Sequence, residues 1–176
     1  MKQPTTVDSG KCNGDVWTYE HATVEPPRPD DPKILGPNLR QADKDEIFAC
    51  AGVDGEYALK MSVDTSNYCM SVRDRETEEP LGLFGVCPFV DDRLGIVWFL
   101  GSDELFKKNR MAFLRNSEFW VKNLFGSYEI LFNLVDARNT IHIRWLKWLR
   151  FTFIADVPEY GYEKRTFRQF LRHRDD

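Results

Sequence analysis

His142 is the side chain of this chain best suited to exchange a proton near neutral pH. It stands three positions after Asn139 in the run Asn139-Thr-Ile-His-Ile-Arg-Trp-Leu-Lys-Trp-Leu-Arg-Phe151. An imidazole at the start of a helix serves either as a general base or as a packing and capping group. A second cluster, Gly101-Ser102-Asp103-Glu104, joins an N-capping hydroxyl to two acids in a first helical turn. Those acids suit the helix and also stand where an anion would be received, so they repel one. Arg144, Lys147 and Arg150 recur at three-residue spacing. With Arg165, Arg168, Arg172 and Arg174 they suit a basic, aromatic-flanked face for nucleic acid, or an ordinary solvated face. Cys12, Cys50, Cys69 and Cys87 form no Cys-x-x-Cys pair and have no histidine at ligand spacing. That argues against zinc and for free thiols made in a reducing cytoplasm.

These groups need elements to hold them. A chain of 176 residues with 42% apolar and 14% aromatic side chains can bury a core as one globular domain. Residues 1–100 carry 10 basic and 18 acidic side chains, and residues 101–176 carry 14 and 10. Such asymmetry permits self-complementary packing or a basic face without selecting either. No apolar run nears the roughly 20 residues that cross a bilayer, and the start of the chain lacks a signal-peptide pattern.

Six of the nine prolines fall before residue 38, and the run Glu25-Pro-Pro-Arg-Pro-Asp-Asp-Pro32 cannot continue a helix. Residues 1–37 therefore read as an extended arm, including a first strand over residues 16–24. The arm lies along its own domain or docks on a neighbour. Residues 38–176 form the domain proper. Helices are predicted over 38–52 and 54–67, then strands over 68–74, 81–89 and 94–100, the last buried on both faces. A helix from Ser102 to Gly126 follows, then a strand over 128–135. Next comes a helix over 139–149 with Ile141, Trp145 and Trp148 along one stripe. A strand over 151–155, a turn at Pro158–Gly161 and a strand over 165–171 close the chain.

That order resembles the GNAT N-acetyltransferase layout, and the Asn139–Phe151 stretch carries the likeness. Asn139 and Phe151 match its pattern, whereas Leu146 replaces a tyrosine and Arg150 a glycine. The implied fold is α/β (α+β), a mixed, mostly antiparallel twisted sheet of six to seven strands flanked by four helices. Trp98-Phe-Leu-Gly-Ser-Asp-Glu-Leu105 followed by Asn139-Thr-Ile-His-Ile-Arg-Trp-Leu-Lys147 is similar to the GNAT-like internal virion proteins of short-tailed phages. This narrower resemblance implies a non-enzymatic protein of the phage virion, synthesised in the host cytoplasm and using the fold for protein–protein contacts. It needs no cofactor. Its partners are other virion proteins or further copies, with Trp17, Tyr19, Arg144, Trp145 and Trp148 as contact residues, and DNA contact as a lesser alternative.

If the acetyltransferase likeness extends to chemistry, acetyl-CoA would lie against Leu100, Gly101, Ser102, Lys107, Lys108 and Asn139. His142 would then be the base, and Tyr128, or Tyr160 or Tyr162, the acid. The stretch from Gly101 to Arg110 departs from the family's glycine-rich phosphate loop, having one glycine, placed before the helix.

Overall fold

The computed structural model describes residues 16–176, apart from the side chains of residues 108–113. It contains one eight-stranded sheet with helices on both faces. In chain order the elements are β1 (Trp17–Thr18), β2 (Ala22–Glu25), α1 (Asp31–Leu35), a 3-10 turn (Gly36–Asn38), α2 (Gln41–Ala51), α3 (Gly55–Thr65), β3 (Tyr68–Asp74), β4 (Pro80–Pro88) and β5 (Leu94–Gly101). They continue with α4 (Asp103–Phe125), β6 (Ile130–Asp136), α5 (Thr140–Trp148), β7 (Thr152–Tyr160) and β8 (Arg165–His173). Among the described residues no helix is long and apolar enough to cross a membrane, and Cys50, Cys69 and Cys87 are free.

Local chemistry sets most of the boundaries. Gly52 takes φ +70° after α2, a left-handed backbone that ends the helix, and its N–H donates to Phe48 O at 2.8 Å. Asp54 accepts from the Tyr57 N–H to start α3, Ser102 from the Leu105 N–H to start α4, and Asn139 from the His142 N–H to start α5. The strands lie in the order β1-β2-β3-β4-β5-β6-β8-β7, and every pairing is antiparallel except β5 with β6. That parallel ladder runs only from Leu94–Ile130 to Ile96–Phe132, after which the strands part. Asn133 spans the opening by donating its Nδ2–H to Val97 O at 2.8 Å. One core, with Phe84, Phe99, Trp120 and Leu146, lies under α4 and α5; a smaller one, with Leu35, Leu59 and Leu83, lies under α1–α3.

Several expectations change. The strand expected over 16–24 is a hairpin of β1 and β2, because the Tyr19 N–H donates to Ala22 O across a turn. Residues 16–37 are not an extended arm. β2 pairs with β3, and α1 starts with Pro32 in its first turn, where a missing N–H costs nothing. Buried Asp31 receives both bonds of a fork from the buried Arg73 guanidinium, at 2.7 and 2.9 Å, which ties the segment down. The rest of the expected arm, residues 1–15, lies outside the described residues. The mixed, mostly antiparallel sheet flanked by helices is as expected; among the described residues it has eight strands, slightly more than about six to seven, with five α-helices around it.

Of the Ile96–Leu100 run, expected to be buried on both faces, only Phe99 is fully buried, since the parting from β6 bares this stretch. Of the Ile141–Trp145–Trp148 stripe, only Trp145 packs, partly buried, on the core. Ile143 and Leu146 are buried there, whereas Ile141 and Trp148 are exposed. β7 runs through Pro158 to Tyr160, so the turn falls later, around Gly161 at φ +72°.

Candidate functional site

The parting of β5 from β6 opens a cleft into the larger core, with a cavity of about 180 Å³. Its walls include Val97 and Phe99 of β5, Leu105 and Trp120 of α4, and Trp145 and Leu146 of α5. Three titratable groups reach this largely apolar space, Tyr19 from the β1–β2 turn, Glu46 from α2 and His142 from α5.

Glu46 accepts from Asn139 Nδ2 at 3.0 Å, so Asn139 both caps α5 and ties α2 to it. Burial pushes the Glu46 carboxyl up to about 8; the Asn139 bond opposes this, and the negative charges of Asp43 and Asp136 add to it. At neutral pH Glu46 is thus a protonated acid able to donate. His142 is driven the other way, down to about 3, by burial and by the nearby Arg40 cation. Its ring lies against Trp145 with centroids 5.5 Å apart, and its Nδ1 is shielded from water with no hydrogen-bond partner. Burial thus disfavours the charged form of both Glu46 and His142, which line the same cleft.

The start of α4 is built differently from an anion cradle. The Gly101 N–H points to the Asp43 carboxylate at 3.3 Å, and the Ser102 N–H donates to Leu81 O at 2.8 Å. Asp43 is buried and held by a two-bond fork from Arg40, at 2.6 and 3.0 Å. Arg40 in turn donates its backbone N–H to Gly101 O and stacks its guanidinium over Phe106. Asp103 and Glu104 are exposed on the first turn, and Lys107 is tied to Glu104 at 2.8 Å. A diphosphate would meet a carboxylate at the one glycine and find two backbone donors already used. These residues do not fit the diphosphate of acetyl-CoA.

Leu100 and His142 thus line the cleft, Asn139 lies behind it bonded to Glu46, Gly101 and Ser102 are closed off beside it, and the Lys108 side chain lies outside the described residues. Tyr128 does not join them; it is buried elsewhere and its hydroxyl accepts from Asn67 Nδ2. Tyr160 packs on Phe167, and Tyr162 is exposed beside Phe48.

Among the expected contact residues, Trp17 is buried against Trp120 at 4.8 Å, because the β1–β2 hairpin folds it inward. Tyr19 and Trp145 face the cleft, while Arg144 and Trp148 are exposed on α5. The expected basic face is divided. Buried Arg172 forks onto Glu118, Arg168 pairs with Asp156 and Arg165 with Glu163, and Arg174 caps Tyr128 O. Arg144, Lys147 and Arg150 remain exposed.

Sequence reasoning missed Glu46 and the Arg40–Asp43 clamp. The available signal was the spacing of Asp43 and Glu46, which sets two acids on one face of α2 with Ile47.

Strand order, a single parted parallel pair and the helix arrangement define a GNAT-like fold. An acetyltransferase of the GNAT family from Bacillus anthracis superposes with a TM-score of 0.67 at 9% identity, covering 92% of this chain and 100% of that one. Ribosomal-protein-S5-alanine acetyltransferase from Vibrio fischeri gives 0.66 at 15% identity, covering 92% and 98%. Spermidine N-acetyltransferase from Vibrio cholerae, solved with CoA and spermine, gives 0.64 at 10% identity, covering 89% and 98%. At these identities the likeness is one of fold.

Residues 91–157 match a family described as "Bacteriophage T7, probable scaffold protein Gp13". The match runs from the β4–β5 turn through α4, β6 and α5 into β7, the elements that build most of the cleft. No curated protein sequence matches.

Proposed function

We propose that this chain is a structural protein of a tailed-phage particle, made in the host cytoplasm, which uses a GNAT-like scaffold for contacts with other particle proteins or with its own copies. The observation that carries this reading is the match of residues 91–157 to the phage family. The start of α4 supports it, since the backbone donors there are engaged with Asp43 and Leu81 and the first turn is acidic. Exposed Ile141 and Trp148, with Arg144 on the same outer side of α5, offer apolar and cationic contact area without disturbing the core. Mass spectrometry of purified particles from a phage encoding this sequence should find the polypeptide at many copies per particle. Its absence from them would remove the proposal.

A second reading, an acyltransferase, rests on one observation: Glu46 and His142 both line the cleft at the parted β5–β6 pair. Calorimetric titration with acetyl-CoA separates the two readings. Saturable sub-millimolar binding favours the acyltransferase, and no heat favours the structural role.

A further inference from the structure

The cleft has features that neither a scaffold role nor acyl transfer explains. Its cavity of about 180 Å³ is slightly larger than the roughly 150 Å³ space that holds one benzene in an apolar protein interior. The space is therefore that of a single six-membered ring with one or two small substituents. The walls at Phe99, Leu105 and Trp120 are apolar, so a charged occupant would lose its water with no counter-ion in return. Polar groups also line it, namely Tyr19, Glu46, Asn116, Ser117, Asn133 and His142, and the Tyr19 hydroxyl and His142 Nδ1 are both shielded from water. His142 Nδ1 is out of reach of water and no group of the chain bonds to it. A buried nitrogen left so is destabilising, a penalty that a ligand hydrogen bond removes. The ring is neutral, since burial and Arg40 both disfavour its charge. With the proton on Nε2, Nδ1 accepts.

We propose that the β5–β6 cleft is a receptor for one uncharged hydroxy-aromatic group, its ring against Phe99, Trp120 and Trp145 and its O–H donating to His142 Nδ1. Glu46 lines the same cleft. Phenols and the tyrosine side chain of a contacting protein share this chemistry. The proposal does not depend on the particle role, because the two are tested on different samples.

Titration of the full chain with p-cresol, followed by protein NMR, tests it directly. The expected result is saturable binding of p-cresol at least about three- to tenfold tighter than toluene, the span of one net hydrogen bond. Binding of p-toluate should be weaker than either, since its carboxylate must enter an apolar space beside Glu46. In H142F the preference for p-cresol over toluene should vanish while toluene still binds, which also reports that the pocket is intact. N-acetyltyrosinamide separates the sources: binding with the same His142 dependence marks a side-chain receptor, and exclusion marks a small-molecule site. The idea fails if p-cresol shows no saturable binding, if toluene binds wild type as tightly, or if H142F keeps the preference. Should H142F not fold, the wild-type comparison of p-cresol with toluene decides alone.

Discussion

The Arg73 cluster and the Glu46 cluster are both charged chemistry taken out of water, and they resolve it in opposite ways. Arg73 is 2% exposed, and its guanidinium is satisfied all round: Asp31 by two bonds, Glu25 by one at 2.9 Å, and the Glu78 carbonyl. Glu46 has no such cation. It receives the Asn139 amide, and burial, with further acids nearby, raises its proton affinity, while burial lowers that of His142 in the same cleft. The first cluster fastens α1 to β3, and the second leaves acceptors and donors facing a cavity. Buried polarity that is fully matched holds a fold together; buried polarity that is left open marks a place for something else.

The largest expected effect tests the matched side. Asp31→Ala leaves Arg73 buried without its main partner and should lower stability by about 3–5 kcal/mol in urea unfolding. A loss below about 1 kcal/mol would mean that the two clusters are not different in kind.

The open side should show itself in the pH profile. Glu46 is raised from its usual 4.5 to about 8, so the folded chain keeps a proton that the unfolded chain releases, and stability falls as pH rises through that window. His142 is lowered from 6.5 to about 3, so the unfolded chain takes up a proton first, and stability falls as pH drops through that window. Where the windows overlap, between 4.5 and 6.5, the two slopes oppose each other. Relative to wild type, Glu46→Gln should flatten the limb between pH 6.5 and 8, and His142→Phe the limb between 4.5 and 3. Thermal unfolding across pH reads both, and parallel curves for wild type and variants would contradict the assignment.

Smaller effects serve as controls on α5, which carries His142. Arg150 follows the helix at φ +61°, a left-handed backbone that disfavours a side chain. Arg150→Gly should gain about 0.5–1 kcal/mol in chemical denaturation without changing either pH limb. Trp148→Ser, at a position 56% exposed, should move stability by less than about 0.5 kcal/mol. A larger loss would show that Trp148 packs on the domain, and it would no longer be available for contacts.

Legibility in the sequence followed the range of the forces involved. β3, β4 and β5 were readable because alternation and polar turns act between near neighbours, and the ends of α4 and α5 because Ser102, Gly126 and Asn139 are capping residues. Proline content misled over residues 25–37: a ring in the first turn of α1 is compatible with a helix, and the Arg73 partner lies 42 residues away. Helical spacing alone placed Trp148 with Trp145, but the sheet beneath α5 took Ile143 and Leu146 instead. Glu46 gave little local sign, since an acid on a helix is ordinary until Asn139, 93 residues on, closes over it.

Composition, periodicity and caps determined by themselves that this chain makes a mixed sheet with long helices, and which residues begin and end them. Only the packed structure decided that β5 and β6 part after three pairs, that Asp43 takes the Gly101 donor, and that Glu46 and His142 line one largely apolar space. Backbone preference acts over a few residues, whereas burial, and the proton affinities it shifts, exist only once distant segments have excluded water together.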